Sequence, residues 1–130
     1  MIDHVSIHVS DIKKSAAFYE AALGAIGYKR LVGDFGGTVG FAVSGPQDAS
    51  GSVWISQVAE DNPLTKEIHV AFAVPDVETV KKFYEAAMAA GGRDNGAPAL
   101  CPEYGSEYYG AFVLDPDGNN IEATTYVVFK

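Results

Sequence analysis

Two stretches of the sequence indicate the fold: residues 4–22 read HVSIHVSDIKKSAAFYEAA, and residues 69–87 read HVAFAVPDVETVKKFYEAA. The second begins 65 residues after the first, and its histidine, its aspartate and its FYEAA run return without a gap. An internal repeat of this kind indicates that one structural unit occurs twice. We therefore expect a single domain built from two repeats, residues 1–60 and 66–130.

Each repeat begins with a strand pattern and changes to a helix pattern. Apolar and polar residues alternate over residues 2–9, which is the period of a half-buried strand. Asp11 then precedes an apolar stripe with helical spacing, and Gly24 stands near the expected end of the helix. Asp76 takes the same place in the second repeat, and Gly91-Gly92 follows its apolar stripe. The sequence thus predicts two capped helices of about 12 to 15 residues.

After each helix come three runs that are rich in strand-forming residues and separated by turn signals. The last two runs are joined by Asp115-Pro116-Asp117-Gly118, a sequence typical of a tight turn. Each repeat is therefore expected to be a βαβββ unit. The six runs are Gly27 to Val32, Gly37 to Ser44, Ser52 to Val58, Arg93 to Ala97, Tyr108 to Leu114 and Asn119 to Val128.

Composition and charge narrow the classes of partner. The 130 residues include 17 acidic and 9 basic side chains, for a formal charge of −8, which disfavours nucleic acid and anionic membranes. No run reaches the ~18 apolar residues of a membrane span, and residues 1–11 lack a secretory signal pattern. Cys101 is the only cysteine, so no disulfide can form within the chain. We expect a cytoplasmic protein with a small-molecule ligand.

Two βαβββ units in one chain resemble the vicinal oxygen chelate superfamily, which includes glyoxalase I, bleomycin and fosfomycin resistance proteins and extradiol dioxygenases. The resemblance covers the whole chain and is carried by Asp3-His4-Val5, by residues 68–72 (IHVAF) and by residues 115–122 (DPDGNNIE). It implies a glyoxalase-like α+β fold, in which the two units form a curved, mostly antiparallel sheet cup with the helices outside. It also implies a divalent metal ion in that cup.

The metal ligands of this family lie on the first and fourth strands of each unit. Carried over to this sequence, the resemblance implies His4, His69 and Glu122 as metal ligands, with Glu122 also catalytic. Two imidazoles and one carboxylate suit zinc, nickel, iron or manganese and leave coordination positions open. At the fourth position, different alignments of the repeats place Ile55 or Gln57. Neither replaces a carboxylate, so the chain departs from glyoxalase I at this position.

Four further residues are candidates for substrate binding. His8 lies two residues beyond His4 on the same strand face, and Trp54 is either a wall of the cup or a core residue. Tyr104 and Tyr108 belong to a tyrosine-rich connection that either covers a ligand or forms a surface hairpin or dimer contact.

Two functions from different classes remain open. The first is a metal-dependent enzyme, either a glyoxalase-like lyase or isomerase or a dioxygenase, whose ion chelates vicinal oxygens of a small substrate. The second is a non-catalytic small-molecule binding protein of the bleomycin resistance type. In both cases we expect a homodimer, because short units leave sheet edges and one-sided cups that a symmetric partner can close.

Overall fold

The computed structural model describes residues 1–32, 36–44 and 49–127. Its elements follow in the order β1 (His4–Val9), α1 (Ile12–Gly24), β2 (Lys29–Arg30), β3 (Thr38–Ala42), β4 (Ser52–Gln57), β5 (His69–Ala73), α2 (Val77–Ala89), β6 (Arg93–Leu100), β7 (Tyr108–Leu114) and β8 (Asn120–Tyr126). A short 3-10 turn, Pro102–Tyr104, lies between β6 and β7. Val128, the end of the last expected strand, lies outside the described residues.

The strands form two four-stranded sheets with the same order. The first sheet runs β1-β4-β3-β2 and the second β5-β8-β7-β6, and in each the first pair is parallel and the other two pairs are antiparallel. The expected glyoxalase-like α+β fold is confirmed. The βαβββ connection produces this order. The helix carries the chain over the sheet, and the three later strands then pair antiparallel with one another, with the last of them parallel to the first strand of the unit.

Both helices begin and end where the sequence indicates. Each has 13 residues, and the side chains of Asp11 and Asp76 accept hydrogen bonds from backbone N–H groups of the first turn. Gly92, after the end of α2, lies so close to its neighbours that a Cβ would stand 2.4 Å from a methyl carbon of Val113. A side chain at that position would push the helix end away from the second sheet.

The core lies between the helices and the buried faces of the sheets. Phe18 and Tyr19 of α1 and Phe83 of α2 are its largest buried aromatic side chains on helices, and each is at most 1% exposed. Burying such a side chain contributes roughly 1.5 to 3 kcal/mol to stability. Ile7, Val9, Ile121 and Ala123 fill the sheet side of this core. Their alternate neighbours therefore point into the cups, as the strand period predicts.

The hairpin at residues 115–118 has the expected tight turn. Gly118 has a φ of 87°, and its N–H donates to the carbonyl of Asp115 at 3.0 Å. Within the described part of the chain, no helix combines the length and the apolar character that crossing a bilayer requires.

Candidate active site

The second sheet brings His69 and Glu122 together in its cup. In the parallel pair of β5 and β8, Ala71 lies opposite Glu122, so that His69 stands two residues away on the same face. His69 Nε2 and Glu122 Oε1 are 2.8 Å apart. The Glu122 side chain is 1% exposed and the His69 side chain 47% exposed. A buried carboxylate is thus joined to an imidazole that solvent and ligands can reach.

The other oxygen of Glu122 is held by a tyrosine. The Tyr108 hydroxyl donates to Glu122 Oε2 at 2.5 Å. Burial, followed by this hydrogen bond, raises the pKa of Tyr108 to about 12. At neutral pH the phenol therefore stays protonated and donates a hydrogen bond to the carboxylate.

Aromatic rings surround this group. The ring centroid of Tyr108 is 5.3 Å from that of Tyr104 and 5.4 Å from that of Tyr126. Phe112 lies between Tyr104 and His69, at 6.4 and 6.1 Å. Beside the rings is a cavity of about 360 Å³ that Tyr104, Phe112 and Cys101 help to line. Burial raises the pKa of the Cys101 thiol, which disfavours the thiolate and a nucleophilic role.

His4, His8 and Trp54 lie in a separate cavity. This cavity of about 480 Å³ belongs to the first sheet and is lined by Asp3, His4, Ser6, His8, Thr38, Ala49, Ser52, Trp54 and Ser56. His4 is about half exposed, and its Nδ1 lies 2.8 Å from Asp3 Oδ1. His8 Nδ1 lies 2.9 Å from the carbonyl oxygen of Pro63.

The strand register identifies the residue at the fourth ligand position. Ser6 of β1 pairs with Trp54 of β4, as Ala71 of β5 pairs with Glu122 of β8. Trp54, and neither of the two residues expected from the sequence, is therefore the structural counterpart of Glu122. Its indole N–H donates to Ser52 Oγ at 2.8 Å, and its ring lies over Gly40, where a Cβ would be only 2.5 Å from a ring carbon.

Ile55 and Gln57 have other roles. Ile55 is fully buried in the core. The side-chain amide of Gln57 accepts from the N–H of Ile12 at 2.9 Å and donates to the carbonyl of Ser10 at 2.7 Å, so it caps the start of α1. Neither side chain belongs to a cup.

The predicted site residues are thus divided between two cups of one chain. His69, Glu122, Tyr108 and Tyr104 meet in the second, whereas His4, His8 and Trp54 meet in the first. Over the described ranges, with their gaps at 33–35 and 45–48, no three His, Cys, Asp or Glu side chains form a group that could hold a metal ion. Convergence of His4, His69 and Glu122 remains a prediction.

One partner of the site was not expected from the sequence. Tyr108 is hydrogen-bonded to Glu122, whereas the sequence indicated either a ligand contact or a surface hairpin or dimer contact. A signal was present: Tyr108, Gly110 and Phe112 alternate along one strand, which puts them on a common face with a glycine in the middle. A glycine between two aromatic residues indicates that a neighbouring group needs the space.

Comparisons with known proteins agree with this architecture. A model of the glyoxalase/bleomycin resistance protein/dioxygenase superfamily matches residues 1–123. A glyoxalase/bleomycin resistance protein from Albidiferax ferrireducens T118 is 27% identical, with a TM-score of 0.77 over 96% of this chain and 98% of that one.

Two other solved structures are similar in fold. A glyoxalase/bleomycin resistance protein/dioxygenase family enzyme from Burkholderia phytofirmans PsJN is 20% identical, with a TM-score of 0.71 over 96% of this chain and 98% of that one. A glyoxalase-related enzyme from Fulvimarina pelagi is 20% identical, also with a TM-score of 0.71, over 96% of this chain and 87% of that one. Among curated proteins, none matches this sequence. The family match over nearly the whole length places the chain in the glyoxalase/bleomycin resistance protein/dioxygenase superfamily.

Proposed function

We propose that this chain is a metal-dependent enzyme of the glyoxalase or dioxygenase type, and that its ion chelates two vicinal oxygens of a small substrate. The observation that carries the proposal is the pair of His69 and Glu122. A carboxylate that is 1% exposed faces an imidazole nitrogen at 2.8 Å inside an open cup. Burying a carboxylate is costly unless it is paired. A buried carboxylate beside a second side chain of metal-ligand type, on the adjacent strand, is typical of a functional site.

The donor set fits a catalytic ion with three protein ligands. His69 and Glu122 supply an imidazole nitrogen and a carboxylate oxygen, and His4 supplies a second imidazole from the equivalent place on β1. Trp54 stands at the fourth position and offers no lone pair to a metal. Three protein ligands with open positions are characteristic of catalytic rather than structural zinc centres.

A second copy of the chain is the source that we propose for His4. Each chain carries one half-site with His4 and one with His69 and Glu122. In a two-fold symmetric dimer the His4 half-site of each chain meets the half-site with His69 and Glu122 of the other chain, so two equivalent sites form. The homodimer is therefore part of the proposal.

When bound, such an ion would act as a Lewis acid toward two neighbouring substrate oxygens. The residues of the chain have separate tasks. Glu122 would hold the ion and accept or return a proton, Tyr108 would keep that carboxylate in place, and the rings of Tyr104 and Phe112 would line the neighbouring cavity. His8 and Trp54 would contact the substrate from the partner's cup.

Elemental analysis of protein purified without a metal-affinity tag tests the proposal. We expect about one divalent ion per chain, and we expect His69→Ala to lower occupancy by about tenfold or more while thermal unfolding stays close to that of the wild type. His8→Ala is the matched control, because His8 is also a partly exposed cup histidine but no proposed ligand. Equal metal contents in the two variants would contradict the proposal.

A non-catalytic binding protein of the bleomycin resistance type is the second candidate. The charge of −8 and the ring cluster of Tyr104, Tyr108 and Phe112 favour it, because both attract a cationic ligand. Titration calorimetry with bleomycin, read beside the elemental analysis, separates the candidates. Tight binding by metal-free protein, with background metal in the wild type and in His69→Ala, would favour the second. In either case the single cysteine leads us to propose the cytoplasm as the location.

A further inference from the structure

We propose that Tyr108 and Gly110 are positioning residues for Glu122, which hold its carboxylate so that only Oε1 is presented to a metal ion. This inference rests on the proposed function, and it names the part of the second cup that controls how Glu122 binds. The two residues lie on β7, beside the strand that carries Glu122.

The two carboxylate oxygens of Glu122 have different partners. Oε2 accepts from the Tyr108 hydroxyl at 2.5 Å, whereas Oε1 faces His69 Nε2 at 2.8 Å. Hydrogen bonds to a charged acceptor are roughly twice as strong as those between neutral groups. The phenol therefore fixes the rotation of the carboxylate and leaves Oε1 on the imidazole side.

The ring of Tyr108 is itself held in place. Tyr104 packs on it at 5.3 Å with an interplanar angle of 55°, and Tyr126 meets it edge-on at 5.4 Å with an angle of 87°. Aromatic pairs with tilted or edge-to-face rings at these separations are favourable. Swinging the hydroxyl away from Glu122 would disturb both contacts.

Gly110 provides the space in which this hydrogen bond forms. It lies between Tyr108 and Phe112 on the same strand face, and a Cβ there would stand 2.9 Å from Glu122 Oε2 and 3.4 Å from a ring carbon of Tyr108. Gly110 is not among the glycines with positive φ, so its backbone suits alanine as well. Glycine is needed at this position because it leaves room for the carboxylate, and not because of its backbone conformation.

The arrangement has a consequence for ligation. With its Oε2 engaged by the phenol, Glu122 would hold an ion through Oε1. Such an ion would then keep positions for two oxygens of a substrate. If the carboxylate were released, it could take a second position and compete with the substrate.

Titration with cobalt(II) tests the inference, since the visible absorption of bound cobalt reports both occupancy and coordination number. We expect Tyr108→Phe to raise the dissociation constant by about tenfold or more, as the loss of a partner of a metal ligand does elsewhere. Gly110→Ala should also raise the dissociation constant, because the new methyl group would displace Oε2 without removing any hydrogen-bonding group. The cobalt spectrum should change in both variants.

Tyr104→Phe is the matched control, because it removes a hydroxyl from the same ring cluster but not the one bonded to Glu122. Its affinity and spectrum should equal those of the wild type. Thermal unfolding of the metal-free proteins checks that all variants are folded, and if Tyr108→Phe is not, Gly110→Ala decides.

Two negative results have different meanings. If the wild type binds cobalt and both Tyr108→Phe and Gly110→Ala behave like Tyr104→Phe, the positioning role is overturned and the proposed metal site stands. If the wild type binds no cobalt, the proposed metal function fails, and the inference fails with it.

Discussion

Tyr19 and Asp115 form a buried hydrogen bond between the two halves of the chain. The Tyr19 hydroxyl in α1 donates to Asp115 Oδ2 at 2.5 Å, and each residue is 1% exposed. Burial, and then the charge of Asp115, raises the pKa of Tyr19 well above its ordinary value. Asp115 Oδ1 also accepts from the N–H groups of Asp117 and Asn119. One carboxylate thus joins α1 to the turn between β7 and β8.

Replacement of Tyr19 by Phe should lower the free energy of unfolding by about 1 to 3 kcal/mol, because a buried carboxylate oxygen loses its best donor. Among the residues that the structure describes, the Asn119 amide, at 3.3 Å, would be the one remaining donor to Oδ2. Urea denaturation measures the loss. Tyr28→Phe is the control, since its hydroxyl bonds to the Gly51 carbonyl at an exposed site. We expect a loss of about 1 kcal/mol or less there, and equal losses would contradict the role of burial.

Some site residues could be predicted from the sequence, and others could not, for a physical reason. The repeat and the DPDGNNIE segment, through the family resemblance, indicated His69 and Glu122 as candidates. The structure places their side chains 2.8 Å apart, and their role as metal ligands stays a prediction. Trp54 was not identified at its position, because the connections leading to β4 and β8 differ in length between the units. A strand register that is wrong by one residue turns every side chain to the opposite face. The pairing of β1 with β4, in which Ser6 lies opposite Trp54, determines the register.

The N-terminal caps of α1 and α2 differ in the strength of their hydrogen bonds. Asp76 Oδ1 accepts from the N–H of Thr79 at 2.8 Å and from its hydroxyl at 2.7 Å, whereas Asp11 Oδ1 accepts from the N–H of Lys14 at 3.2 Å. The hydrogen bonds from Thr79 lower the pKa of Asp76. A lowered pKa means that folding favours the charged carboxylate, so the cap stabilises the protein above the ordinary pKa of the residue and loses this effect in acid.

Asp76→Ala should lower the midpoint of thermal unfolding by roughly 2 to 5 °C at neutral pH, and by more than Asp11→Ala does. The difference between Asp76→Ala and the wild type should shrink as the pH falls below the ordinary value of 3.8, because the wild-type carboxylate then gains a proton. Scanning calorimetry at neutral and acidic pH measures both effects. A difference that grows in acid would contradict this account of the cap.

The helices could be predicted more closely than the strands. Local signals define α1 and α2, because a capping aspartate and a glycine stand at the ends of each apolar stripe. A strand ends where its partner ends, which the local sequence does not encode. In the run from Gly27 to Val32 the strand spans only Lys29–Arg30, whereas the run expected to end at Ala97 continues as a strand to Leu100.

In the proposed dimer, the outer strands of the two sheets are where a second copy of the chain would bind. β1 and β5 are outer strands of their sheets, and a cavity of about 360 Å³ is lined by residues from both. Ile2, at the start of this region, is 73% exposed. Edge strands with apolar surroundings are places where another chain can add. His4 lies on β1 and His69 on β5, so an association there would bring the two proposed half-sites together.

Mixing two variants that each lack one proposed metal ligand tests whether the site spans two chains. A heterodimer of His4→Ala and His69→Ala contains one site with intact His4, His69 and Glu122 and one site lacking both histidines. After random exchange of equal amounts, half of the dimers are mixed, so metal content should recover to about a quarter of that of the wild type. A mixture of His69→Ala with Glu122→Gln is the control, because both changes affect the same half-site and no dimer contains an intact one. Native mass spectrometry, with one variant isotope-labelled, checks that subunits exchange. If they exchange and metal content recovers in neither mixture, the site shared between two chains is refuted.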